Sequence, residues 1–350
     1  MSTSTTHYSE IVPTPPHLPK RATVHDVAVE AGVSRGTVSR YVNGERYVSS
    51  RASEAIEAAI RKVGYTPNTA ARNLVMQRTQ AVGFIVHEPH SLFIEDPNIG
   101  AILLGANSAL SEADYQMVLL IVDSERDTDR VARYLGGGFV DAAIIVSARE
   151  NDPITRLVER LDLPAVYVGH PPGLISAAYV GIDNRGAARA ITERLVSTGR
   201  RRIAMIAAAL DRDSGADRLA GFTEALGDRY DDRLVERVPF YSYSEGRSAM
   251  LALLERDPTI DAVFAASDAV AAGAIEALRS TGRRVPDDVG IVGFDDSAWA
   301  VRTEPALSTV RQPAEGLGRR AAALVLDRLR GDADESGVML ETEIVWRNSA

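Results

Sequence analysis

Residues 23–43 read TVHDVAVEAGVSRGTVSRYVN, and their spacing predicts two short helices joined by a tight turn. Val24, Val27, Ala28 and Ala31 recur at i, i+3, i+4 and i+7, which is one buried stripe of a helix. Gly32 ends that helix, because a residue without Cβ turns left-handed at little cost, and Ser34 is a good N-cap for the next one. With Val33, Val38 and Val42 inside, the residues Arg35, Gly36, Thr37, Ser39 and Arg40 are left outward. Such a face enters a DNA groove as a recognition helix does. Taken alone, the stretch also fits a short helical hairpin inside a larger fold.

The flanking sequence favours DNA. Ser50 to Val63 carries Ala55, Ile56, Ala59, Ile60 and Val63 on one face, with Gly64 just past its end, enough to close a three-helix core. Residues 1–80 hold 10 Lys and Arg against 6 Asp and Glu, whereas the other 270 hold 29 against 42. A chain of net charge −9 with one basic end directs that end at a polyanion.

YTPNTAARNLVMQRT follows at 65–79. From Thr23 to Arg78 the chain resembles the LacI/GalR family of bacterial transcription regulators, whose pattern DVA..AGVS..TVSR..N, then GY.PN..AR.L, it matches in order. The resemblance implies a dimeric repressor with DNA contacts from Thr23, Ser34, Arg35, Gly36, Thr37, Ser39, Arg40, Asn43 and Tyr47. Arg35, Gly36 and Arg40 fall at its base-reading positions, and Asn68, Ala71, Arg72 and Leu74 on a hinge helix that forms on the operator. An arginine fork can grip O6 and N7 of guanine, worth about 1–3 kcal/mol of discrimination. Leu74 reads either as a wedge between base steps or as a small contact inside the headpiece. Gly36 departs from the pattern of readers, having no side chain, so Arg35, Arg40 and backbone carry its half-site.

At 350 residues and 45% hydrophobic content, the chain can bury two or three cores. It has no cysteine, hence no disulfide or thiolate chemistry, and no apolar run of membrane-spanning length. Residues 1–21 read as a disordered leader lacking the apolar region of a signal peptide, and the expected location is the cytoplasm, at the nucleoid.

From Gln80 onward short apolar strands alternate with amphipathic helices, the signature of parallel βαβ construction. One set comprises residues 81–87, 117–122, 141–146, 164–169 and 178–183; a second comprises 202–208, 234–240, 261–267 and 289–294. The expected α/β fold is therefore a three-helix helix-turn-helix headpiece (22–66), a hinge (67–79) and a two-lobed core (80–350) with parallel sheets. The resemblance, which continues through Asp183 to Gly186, GFDD at 293–296 and STVRQP at 308–313, implies a type I periplasmic-binding-protein-like core. Its lobe 1 is expected at about 80–183 and 310–330, and lobe 2 at about 184–309 and 331–350.

Ligands of open α/β sheets bind beyond the carboxyl ends of the strands. Ser147, Ser267, Asp268, Asp295 and Asp296 follow strands, and Arg218 precedes the helix LAGFTEAL. The resemblance places Arg218, Ser267 and Asp295 where relatives hold sugar hydroxyls, Phe240 at a stacking position, and Phe93 and Asp96 in the cleft. Residues 91–105 resemble the actinobacterial subgroup that responds to cello-oligosaccharides. Trp299 joins the candidates. Other readings stand beside these: Asp296 bracing a turn, Ser147 capping a helix, Phe240 and Trp299 in the core or between lobes.

No GxSxG, HExxH or P-loop is present, and adjacent Asp295 and Asp296 do not resemble facing glycosidase carboxylates. No catalysis, metal or cofactor is expected. The expected partners are a pseudo-palindromic operator, a mono- or oligosaccharide effector (cellobiose favoured) and a second copy of the chain, with no membrane. No leucine heptad follows Arg330, which favours a dimer over a tetramer. A corepressor nucleobase in the same fold, a solute-binding protein and a sugar-converting enzyme are the alternatives.

Overall fold

The computed structural model describes residues 22–42, 48–66, 78–170, 173, 177–332 and 337–350. The expected leader, Asn43, Tyr47, and the hinge positions Asn68, Ala71, Arg72 and Leu74 lie outside the described residues. The chain divides into two compact units, residues 1–77 and 78–350.

In the first unit, α1 (Val24–Ala31), α2 (Arg35–Val42) and α3 (Ser50–Val63) close on Val27, Ala28, Val38, Ile56, Ala59 and Tyr65. Thr23 and Asp26 form a reciprocal capping box on α1, satisfying two backbone N–H groups that the first turn leaves free. Gly32 is left-handed at φ 64°, as the sharp turn into α2 requires.

In the second unit, the first sheet is built from β1 (Ala81–Val86), β2 (Gln116–Ile121), β3 (Ala142–Val146), β4 (Ala165–Val168), β5 (Ala178–Ile182) and β11 (Gly337–Leu340). Its order is β11-β5-β4-β3-β1-β2, parallel throughout. The second sheet orders β6 (Ile203–Ala208), β7 (Val235–Val238), β8 (Ala262–Ala265) and β9 (Gly290–Val292) as β7-β6-β8-β9, also parallel. β1, β3, β6 and β8 are buried along their whole length, which is why they read as unbroken apolar runs.

Helices α4 (His90–Glu95), α5 (Pro97–Glu112), α6 (Glu125–Gly136), α7 (Pro153–Arg160) and α13 (Ala314–Arg330) serve the first lobe. Helices α8 (Asn184–Ser197), α9 (Asp213–Leu226), α10 (Tyr243–Arg256), α11 (Asp268–Ser280) and α12 (Ala298–Arg302) serve the second. Between the lobes, β10 (Thr309–Arg311) pairs antiparallel with β12 (Glu343–Val345). The chain therefore crosses between lobes after β5, around β10 and again before β12.

The tail corrects the expected boundary. The sequence reading places residues 331–350 in lobe 2, but Gly337–Leu340 extends the first sheet beside β5, and the final residues reach lobe 2, where Ser349 hydrogen-bonds Ile291 and Ser308. GVML is too short and too exposed to announce a strand; pairing with β5 makes it one. A second correction concerns Arg218, which lies inside α9 rather than before it. Gly215 looks like a helix breaker, yet a Cβ there would stand 2.3 Å from the carbonyls of Ala208 and Ala209. The glycine is what lets the helix lie against the strand end. Gly105 and Gly318 do the same for α5 and α13, where an added Cβ would come within 2.0 Å of Glu315 O and 1.9 Å of Ile102 O.

Candidate functional site

The first unit presents α2 outward. Arg35, Gly36, Ser39 and Arg40 are exposed, Thr37 is half-buried, and Val38 anchors the helix in the core. Ser34 caps it, accepting from Thr37 N at 3.1 Å. Among the described residues Arg40 donates from Nε to Gly36 O at 3.3 Å, a bond that an exposed guanidinium gives up at little cost.

The second unit encloses a cavity of about 110 Å³ between the carboxyl ends of its two sheets, several times what a single water needs (~10–15 Å³). Lobe 1 supplies Glu88, Asp96 and Ser147; lobe 2 supplies Arg212, Asp213, Arg218, Tyr241 and Asp295. Non-glycine residues at strand ends take left-handed backbone there, Ser147 at φ 61° and Asp295 at φ 113°. Such conformations cost energy and concentrate at functional sites.

Arg218 is the hub. Nε donates to Asn184 Oδ1 at 2.9 Å, Nη1 to Ala266 O at 2.6 Å, and Nη2 lies 3.4 Å from Asp295 Oδ1. Its guanidinium covers the Phe294 ring at 3.7 Å and stands 5.5 Å from the Tyr241 ring. Asp295 also accepts from Gln312 Nε2 at 2.7 Å. Burial pushes its carboxyl well above the ordinary range, against the pull of Arg218. Burial likewise raises Asp96 from 3.8 to about 6, opposed by its hydrogen bond from Asn98 N.

The lobes meet directly beside the cavity. Both nitrogens of the Arg212 fork reach the Glu88 carboxylate, one at 3.0 Å, with both residues buried. Arg149 stands 3.6 Å from Glu88 and from Asp211, Glu150 N donates to Asp211 O at 2.8 Å, and His170 N donates to Asp213 Oδ2 at 2.6 Å. On another side, Trp299 Nε1 donates to Glu95 O at 3.3 Å and Tyr243 N to Glu95 Oε1 at 2.6 Å.

Of the effector residues expected from sequence, Asp96, Ser147, Arg218 and Asp295 line the cavity; Phe93, Phe240, Ser267 and Trp299 are not among the described residues that do. Phe93 packs on the lobe core from α4. Ser267 caps α11, accepting from Val270 N at 3.3 Å. The cavity's aromatic is Tyr241, one residue on from Phe240, because neighbouring side chains leave the backbone in different directions. Trp299 stacks on Tyr243 at 5.6 Å between the lobes. Asp296 braces its turn through Arg311 (2.8 Å) and Arg347 (2.6 Å). Ser147 leaves the capping of α7 to Asp152. Sequence reasoning missed Glu88, Arg212 and Asp213, although charged residues just beyond apolar strands were the available signal.

Among the described residues no cluster of metal-ligating side chains occurs, and no helix is long and apolar enough to cross a membrane.

Comparison with known proteins agrees with this architecture. Residues 23–68 match the bacterial regulatory proteins of the lacI family, and residues 192–350 match the periplasmic binding protein-like domain. The HTH-type transcriptional regulator CelR of Thermobifida fusca is 43% identical over 94% of this chain and 98% of its own. The ribose operon repressor of Halalkalibacterium halodurans is 32% identical over 93% and 96%. A solved CelR–cellobiose complex superposes with TM-score 0.76 at 41% identity, covering 94% of this chain and all of that one. The lac repressor dimer bound to operator and the anti-inducer ONPF gives TM-score 0.84 at 25% identity, covering 94% and 99%. A helix-turn-helix unit followed by a two-lobed core with parallel sheets, matched along nearly the whole chain, makes this protein a member of the lacI family, a DNA-binding transcriptional regulator.

Proposed function

We propose that the protein is a homodimeric cytoplasmic repressor of carbohydrate-utilisation genes that a cello-oligosaccharide, cellobiose, releases from its operator. The observation that carries the effector class is the cavity chemistry. Arg218 and Asp295 offer paired donors and acceptors beside the Tyr241 ring, and Asp96, Asp213 and Glu88 add further carboxylates. Carboxylates accept from sugar hydroxyls and repel anions, so a neutral polyol suits the site better than a phosphorylated one. The likeness to a regulator solved with cellobiose supports the choice of sugar.

On the DNA side, Arg35, Ser39 and Arg40 lie exposed on α2, from which they reach base edges, while Thr23 and Ser34 cap α1 and α2. Asn43, Tyr47, Asn68, Ala71, Arg72 and Leu74 complete the proposed contact set. Pairing of two copies is supported by β2, an open sheet edge carrying Leu119, and by exposed Leu104 on α5. A two-fold dimer reads inverted half-sites. The cavity groups are tied to one another and to backbone rather than to an open attack position, which favours sensing over catalysis.

Fluorescence anisotropy with an inverted-repeat site from the protein's own upstream region, at fixed salt, tests this. Tight binding released by cellobiose is the expected result. Binding that ignores cellobiose removes the effector assignment, and binding that appears only with added purine reverses the sign of the response.

A further inference from the structure

Glu95 ends α4, in lobe 1, and engages lobe 2 twice. Its backbone carbonyl accepts from Trp299 Nε1 at 3.3 Å, and its carboxylate accepts from Tyr243 N at 2.6 Å. The two donors are themselves fixed, since the Tyr243 and Trp299 rings stack at 5.6 Å with 26° between planes and the Tyr243 hydroxyl donates to Glu276. The Tyr243 N–H opens α10, where a helix leaves its first amides without partners inside the helix, so the carboxylate satisfies a group that would otherwise need water.

The next residue is Asp96, which lines the cavity and caps α5 through Asn98 N at 2.9 Å. One dipeptide thus joins the lobe contact to the cavity wall. With Glu95 held on lobe 2, the Asp96 carboxyl is brought to the same cavity as Arg218 and Asp295 from the opposite lobe. The rest of α4 is anchored within lobe 1, by buried Leu92, by Phe93 on the lobe core and by His90, whose Nδ1 lies 2.6 Å from Asp123 Oδ2, while Ile94 is 84% exposed.

We propose that Glu95 is a positioning residue for effector binding: it latches α4 to Tyr243 and Trp299 and so sets Asp96 against the cavity groups of lobe 2. The inference rests on the reading that sugar binds in this cavity. The Arg212–Glu88 pair still bridges the lobes when the latch is lost, so the latch governs the α4 side of the cavity rather than the whole closure.

The chain has two tryptophans, and a Trp346→Phe background leaves Trp299 as the reporter. Acrylamide quenching of Trp299 is measured during cellobiose titration of the full-length protein, of Glu95→Ala and of Glu95→Gln. Glu95→Ala is expected to raise quenching before sugar is added and to raise the half-saturating cellobiose concentration about tenfold, as loss of a hydrogen bond to a charged group implies. Glu95→Gln keeps an oxygen acceptor and is expected to stay within about threefold of the parent, on the smaller worth of a neutral hydrogen bond. Unchanged quenching and half-saturation in Glu95→Ala, tighter binding, or a Gln variant no better than Ala would overturn the latch. If the parent ignores cellobiose while Glu95→Ala still raises quenching, the latch stands and the effector reading falls.

Discussion

The two units hold their functional arginines in opposite ways. In the first, Arg35 and Arg40 project from a helix whose buried side is settled by valines, and one weak bond to Gly36 O restrains Arg40. In the second, Arg218 is 4% exposed and fixed by Asn184, Ala266 O, Asp295 and the Phe294 ring. The exposed residues keep their side-chain freedom until a partner orders them. Those in the cavity are ordered during folding, so a small ligand meets a site already arranged, with little further entropy to lose.

The largest test of that contrast is Arg218→Ala. It removes the donor to buried Asn184 Oδ1 and Ala266 O, and each buried acceptor left unsatisfied costs about 1–3 kcal/mol. Thermal unfolding should fall accordingly and the cellobiose response should vanish; retention of both would mean that the hub is not structural. Arg40→Ala should leave the unfolding of the core unchanged and weaken operator binding by about 1–3 kcal/mol, read by anisotropy. An equal loss on random DNA would make Arg40 a phosphate contact rather than a base reader.

A single kind of substitution should have opposite signs in the two units. Gly318→Ala forces a Cβ to within 1.9 Å of Ile102 O and should destabilise the core by about 1–3 kcal/mol in denaturant unfolding. Gly36→Ala meets nothing closer than Ser34 Oγ at 3.7 Å, and should stabilise the first unit by about 0.5–1 kcal/mol through helix propensity.

The smallest expected effect is one of pH. Asp96 is raised from 3.8 to about 6 by burial, so the folded protein holds a proton that the unfolded chain has released. Its contribution to stability is full below the unfolded value and is lost as pH rises through about 6. Asp96→Asn, which stays neutral, should therefore match the parent near the acid end and become the more stable of the two as pH passes 6. Parallel melting curves across that range would contradict the burial of this carboxyl.

Much of the first unit was legible in the sequence. The stripe Val27, Ala28 and Val38, the glycine turn and the exposed α2 residues all follow from a local 3.6-residue period, and each is where that period puts it. Strand ends in the second unit were legible too, and Ser147 and Asp295 could be nominated from them, whereas Asp96 and Arg218 came from the family resemblance. Glu88 and Arg212 could not be paired in advance, since 124 residues separate them and no local pattern relates their directions. Tyr241 was missed by one residue for the same reason, and GVML at 337–340 shows its strand character only beside β5.

By itself, then, the sequence determined what local periodicity and strand termini determine: a helix-turn-helix with a polar face, alternating α/β lobes, and the family to which they belong. Tertiary structure alone decided which charged groups share the cavity, which aromatic faces it, and that Glu95 and Trp299 meet between the lobes. Side-chain direction at a strand end or bend depends on backbone angles and on partners far away in the chain, and neither is encoded in the spacing of neighbouring residues.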